Sequence, residues 1–189
     1  MIDLAEASAQ FDAAFAARAP TGLVVRPETD DDAAFLRELF LASYPLRDVL
    51  PEPVLGQQVA LRLDTFRRGF PDAMRRIAVG PDGPVGRIIV DWDHASGPHC
   101  VDIAVMPAHG RRGVATAMLQ AWIDVAEAHA QPCTLTVATD NPARALYARL
   151  GFEEAPDQSG MPGELGGACA GDAVPGEPPI RSGVSGASH

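Results

Sequence analysis

The stretch from Val101 to Ala130 restricts the possible folds more than any other part of this chain. Val101-Asp102-Ile103-Ala104-Val105 reads as a strand, and Pro107-Ala108-His109-Gly110-Arg111-Arg112-Gly113 as a turn. Val114 to Ala130 then reads as a helix, with Met118, Leu119, Trp122 and Val125 on one apolar stripe. Pro132 ends that helix, Thr134 to Thr139 forms a further strand, and Pro142 to Leu150 a further helix. Strand, helix, strand, helix in this order predicts two adjacent parallel strands joined by a crossover.

Upstream the pattern differs. Leu23-Val24-Val25-Arg26-Pro27 is a first strand, and Thr29-Asp30-Asp31-Asp32 is a helix start with acids in the first turn. Helices are expected from there to about Ser43 and from Val54 to about Phe70, with Pro45 to Pro53 as a connector. Ile77-Ala78-Val79, the turn Gly80-Pro81-Asp82-Gly83-Pro84, and Val85 to Trp92 read as an antiparallel hairpin. A loop from Asp93 to Pro98 returns the chain to Cys100–Met106. The fold class expected is α+β: a mixed, largely antiparallel central sheet with flanking helices.

Residues 1–21 are Ala-rich, with Leu4, Phe11 and Phe15 at roughly helical intervals, and read as a leader or a short helix. Residues 22–155 form the domain. Thirteen of the 37 residues from Glu153 to His189 are Gly or Pro without a period, so 156–189 is expected to be a disordered tail. After Phe152 no alternating apolar run offers a last strand. An unfilled sheet edge of that kind would favour a homodimer.

The formal net charge is −10, and all fifteen basic residues are Arg. Such a surface argues against nucleic-acid binding, which needs a cationic footprint, and would attract cationic small molecules. No apolar stretch is long enough to span a bilayer, and the acidic N-terminus lacks the features of a targeting segment. Cys100, Cys133 and Cys169 form no short-spaced pair, so a reducing cytoplasm is expected and no metal site is assigned.

The turn from His109 to Ala115 carries the chemistry. The first N–H groups of a helix have no partner within it, and the helix dipole adds partial positive charge there. Gly113 and the small Ala115 would let an anion approach the backbone, and Arg111 and Arg112 add charge. Neither the triphosphate P-loop pattern nor the dinucleotide GxGxxG is present.

One strand and one helix downstream lies Asn141-Pro142-Ala143-Arg144-Ala145-Leu146-Tyr147-Ala148-Arg149-Leu150-Gly151-Phe152. Together the two segments resemble the GNAT acetyltransferase superfamily. The turn is similar to its acyl-CoA signature, a strand ending in V-x-P followed by R-x-x-G-x-G/A. The later segment is similar to N-P-A-R-x-L-Y-x-x-L-G-F. The resemblance spans about Leu23 to Phe152. In one respect the turn departs from the pattern: Gly110 and Arg111 look exchanged, so Arg111 is expected to take a backbone shape normally given to Gly.

The resemblance implies acetyl-CoA as co-substrate. The backbone of Ile103, Ala104 and Val105 would lie along its pantetheine arm, in a slot opened by the splay of two strands. The amides of Gly110, Arg111, Arg112, Gly113, Val114 and Ala115 would hold the pyrophosphate. Asn141 would hydrogen-bond the arm or cap a helix. The implied reaction is direct attack of a small-molecule or peptide amine on the thioester, with Tyr147 as general acid and Asp102 as candidate base. A non-catalytic acyl-CoA-binding domain with an incomplete acceptor site is the alternative. The helices between Asp30 and Phe70, with Tyr44, Arg47 and Asp48 in the connector, would form the acceptor side.

Overall fold

A computed structural model of the protein describes residues 2–44, 46–138, 140–154 and 164–167. Its first helix, α1 (Leu4–Arg18), starts at Asp3, whose carboxylate accepts from the amides of Ala5 and Glu6 at 3.0 and 2.9 Å. Ala7, Phe11 and Phe15 recur every four residues, share one face, and are wholly buried in the main core. Arg18 pairs bidentately with Asp124, and Arg76 with Asp12. The N-terminal segment is therefore a helix built into the domain, while Leu4 stays partly exposed.

Strand β1 (Val24–Pro27) leads to a short 3-10 turn at Asp30–Asp32 and to α2 (Ala33–Ala42). Asp32 is the buried member of the acidic run. It receives both Arg26 nitrogens at 2.6 and 2.8 Å and the Thr29 amide at 2.8 Å, and these donors hold its carboxyl below the usual range. Helix α3 (Glu52–Gly69) follows, and then the meander β2 (Met74–Gly80), β3 (Gly83–Asp91) and β4 (His99–Val105). Helix α4 (Val114–Ala128) buries Met118, Leu119, Trp122 and Val125, the stripe expected from the sequence. Strand β5 (Cys133–Thr136), helix α5 (Arg144–Arg149) and strand β6 (Glu153–Glu154) follow.

The sequence offers no apolar run for a last strand, yet Glu164–Gly167 forms β7. It lies between β5 and β6 and is antiparallel to both, giving the order β1-β2-β3-β4-β5-β7-β6. The edge of β5 is thus occupied, which removes the unfilled edge that favoured a homodimer. The rest of the Gly/Pro-rich stretch lies outside the described residues. Every neighbouring pair is antiparallel except β4 and β5, which are parallel as the strand–helix–strand order predicts. Among the described residues no helix is long and apolar enough to cross a membrane.

Candidate active site

The β4–β5 pairing is short. Only His99↔Thr134 and Cys100↔Leu135 are in register, although β4 runs on to Val105. Beyond Cys100 the two strands part, and β5 ends at Thr136 rather than at Thr139. A bulge sits at the same place. The β3 register shifts between Ile89, opposite Asp102, and Val90, opposite Cys100, which leaves Val101 without a partner. The bulge bends β4 where it leaves β5. It also turns both Val101 and Asp102 toward α3, since Val101 packs near Phe66 and Asp102 meets Arg62.

Antiparallel ladders use alternate residues. The Met106 amide donates to the Val85 carbonyl at 2.8 Å, so Ala104 also faces β3. The polar backbone groups of Ile103 and Val105 therefore point away from β3, into the gap left by β5. Of the three residues predicted to run along a pantetheine arm, Ile103 and Val105 thus offer backbone groups to the gap, while Ala104 does not, because its own are spent on the β3 ladder.

The gap leads to the turn. Pro107–His109 forms one 3-10 turn, Gly110 is extended, and Arg111 has φ +58°. The exchanged order of Gly110 and Arg111 thus has its expected consequence, an Arg in the left-handed region, at a cost of about 1–2 kcal/mol. Gly113, at φ +83°, turns the chain into α4. No side chain caps this helix; its first turn closes with the Ala117 amide on the Gly113 carbonyl. The amides from Arg111 to Ala115 have no backbone acceptor among the described residues, as at any helix start, whereas the Gly110 amide, also expected to hold the pyrophosphate, is spent on the Pro107 carbonyl at 3.0 Å. Gly110, Arg111, Arg112 and Gly113 are exposed around them, Val114 is buried and Ala115 half-buried.

Asn141 and Tyr147 follow β5 in the chain. Asn141 accepts the Ala143 amide on its side-chain oxygen at 2.8 Å, so it does cap the approach to α5, and its amide nitrogen makes no hydrogen bond among the described residues. Tyr147 is 6% exposed, with its ring edge-on to Phe152 at 6.1 Å, and Phe152 stacks on Trp122 at 5.6 Å. Burial, with smaller contributions from Cys100 and Asp102, pushes the Tyr147 phenol up to about 12. Burial also pushes the Cys100 thiol up, far from nucleophilic use at neutral pH.

On the other side of β4 lies a cavity of about 440 Å³ between α2, α3 and the strand. Leu36, Leu39, Phe40, Tyr44, Leu61 and Ala104 supply its apolar lining, the uncharged Ser43, Gln58 and Thr65 also line it, and Asp102, Arg62 and Arg87 supply its charges. Arg47 and Asp48, named with Tyr44 from the connector, do not line it. Asp102 is engaged on both oxygens: by Arg87 at 2.7 Å and by Arg62 at 3.3 Å. The two guanidiniums lie over the Phe66 ring, 5.1 and 4.5 Å from its centre. Arg87 is buried and also faces Glu28 at 3.7 Å. Neither Arg62 nor Arg87 was singled out from the sequence. Arg87 carried the one available signal, a charge inside the apolar run Val85–Val90.

The strand pair that parts beyond Cys100, the bulge beside it and the uncapped start of α4 all fall within one segment that resembles a known family. Residues 74–154, from β2 to β6, match the family model described as an acetyltransferase (GNAT) domain. Solved structures agree in fold. The PaiA N-acetyltransferase of Thermoplasma acidophilum, in complex with coenzyme A, is 16% identical with a TM-score of 0.57, covering 77% of this chain and 98% of its own. A GCN5-related N-acetyltransferase from Rhodopseudomonas palustris is 20% identical with a TM-score of 0.55, covering 77% and 93%. A variant of the spermidine N-acetyltransferase SpeG from Vibrio cholerae is 18% identical with a TM-score of 0.51, covering 78% and 92%. No curated protein matches the sequence significantly.

Proposed function

We propose that this chain is an acetyl-CoA-dependent N-acetyltransferase that moves an acetyl group to an amine by direct attack. The observation that carries this reading is the coincidence of two features. The unpaired backbone of Ile103 and Val105 opens onto the gap, and the orphan amides from Arg111 to Ala115 stand at its end. An extended arm carrying a diphosphate needs both. Asn141, through its side-chain amide nitrogen, would hold the arm.

Acetyl-CoA supplies the acetyl group as a thioester. The amine approaches from the cavity side of β4, past Ala104, and must be neutral to attack. Asp102 draws the ammonium form into place. Both of its oxygens are already held by guanidiniums, which suits positioning better than proton removal, so a water passes the proton to solvent. The carbonyl oxygen, as it gains charge, takes a hydrogen bond from the Val105 amide.

Tyr147 keeps its proton throughout the neutral range. A free thiol has pKa ~8.5, so complete transfer from a phenol near 12 is uphill by about three units. Its contribution is therefore a hydrogen bond to the departing sulfur, and the thiolate is protonated after release. A thiol-release assay across an amine panel tests the proposal: acetyl-CoA consumption must depend on the amine. Binding of acetyl-CoA with no amine-dependent release would leave only a binding domain.

A further inference from the structure

The charge inside the cavity does not follow the charge of the whole chain. The net charge is −10, which suggested a cationic acceptor such as a polyamine. The cavity wall, however, carries Arg62, Arg87 and Asp102, and with Glu28 beside Arg87 the cluster has two cations and two anions. Arg87 is committed: it is buried, donates to Asp102 at 2.7 Å and pairs with Glu28. Arg62 is different. Its side chain is 51% exposed, its guanidinium carbon lies over the Phe66 ring 4.5 Å from the centre, and one nitrogen makes a longer contact with Asp102 at 3.3 Å. Its remaining donors face no acceptor among the described residues.

We infer that the acceptor is a free α-amino acid with an apolar side chain, and that Arg62 selects it by binding its carboxylate. This deepens the proposed function and rests on it. An α-amino acid holds an ammonium and a carboxylate a few ångströms apart. Asp102 and Arg62 present the complementary charges at 3.3 Å from one another, beside Ala104 on the strand that faces the thioester. The ammonium faces Asp102 and the carboxylate faces Arg62. The side chain then points to Leu36, Phe40, Tyr44 and Leu61, where no charge waits for it. A polyamine would set a second ammonium against Arg62 or leave it in a cavity whose lining holds no acid besides Asp102, and both are unfavourable.

The test compares L-phenylalanine and L-leucine with phenylalaninamide, phenethylamine and spermidine in the thiol-release assay. The free amino acids are expected to have kcat/KM at least about tenfold above the other three, in line with one charge-assisted contact to a half-exposed Arg. Arg62→Gln lowers the phenylalanine-to-phenylalaninamide ratio about tenfold, and Arg62→Lys restores part of it. The ratio is taken within one protein sample, so a general loss of folded enzyme does not move it. Equal use of the amide, preference for spermidine, or an unchanged ratio in Arg62→Gln overturns the inference while leaving the acetyltransferase intact. Coenzyme A binding with no acetylation of any amine overturns the proposed function, and this inference with it.

Discussion

Replacing Tyr147 with Phe removes one oxygen and leaves a ring that still fits against Phe152. Below pH 10 the phenol is protonated in both the folded and the unfolded chain, so its ionisation contributes nothing to the stability difference there. Between pH 10 and about 12 the unfolded chain loses the proton while the folded chain keeps it. Stability then falls as pH rises, by up to about 1.4 kcal/mol per pH unit, and about 2–3 kcal/mol is lost by pH 12. The variant lacks this loss. Urea unfolding of both proteins at pH 8 and pH 11 reads the difference: similar midpoints at pH 8, and a variant more stable by about 1 kcal/mol or more at pH 11. Under the proposed role, turnover at pH 8 falls about 10- to 100-fold, the worth of a hydrogen bond to a charged sulfur. The KM for acetyl-CoA stays within about twofold. Parallel pH dependences would show that burial does not shift this phenol, and unchanged turnover would remove it from the leaving-group step.

Two further perturbations address the frame around the site. Asp32→Asn leaves Arg26 without its anion and costs about 2 kcal/mol, less than the ~3–5 kcal/mol of a fully buried pair because the Arg26 side chain is 40% exposed. The Asp32 carboxyl is held low when folded, so its contribution is present above about pH 4 and lost as pH falls through the folded value. The variant's acid-unfolding curve should be correspondingly flatter. Phe15→Ala, at a wholly buried position, should cost about 3–5 kcal/mol in chemical denaturation. A cost below 1 kcal/mol would mean that α1 is an appendage.

The sequence revealed the parts of the fold whose side chains repeat with a period. The α4 stripe, the hairpin around Gly80–Gly83 and the parallel placement of β4 and β5 all follow from periodicity and turn chemistry. The strained shape of Arg111 followed from its place in a motif. Strand β7 was not legible because Glu-Leu-Gly-Gly carries neither alternation nor strand propensity, and its pairing comes from the exposed edge of β5. The end of β5 was misjudged for a related reason: the sequence reports that a residue suits a strand, not that its neighbour has turned away. The bulge at Val101 depends on the register between two strands and leaves no composition signal. The cavity electrostatics were the least legible. Arg87 and Arg62 lie 15 and 40 residues before Asp102 in the chain, and the acidic total charge hides a cluster in which two arginines meet two carboxylates.

Calorimetric titration with coenzyme A, on the native protein and on Gly113→Ala, addresses the turn between β4 and α4 most directly. The added methyl meets only ordinary contact with Pro20 at 3.5 Å, but the residue sits at φ +83°, so the turn must distort and its amides re-aim. The native protein is expected to bind, and the variant to bind about tenfold more weakly, while the far-ultraviolet spectra stay alike. Absence of heat with the native protein at millimolar coenzyme A, or identical affinities for the two proteins, would contradict the claim that these amides hold the diphosphate.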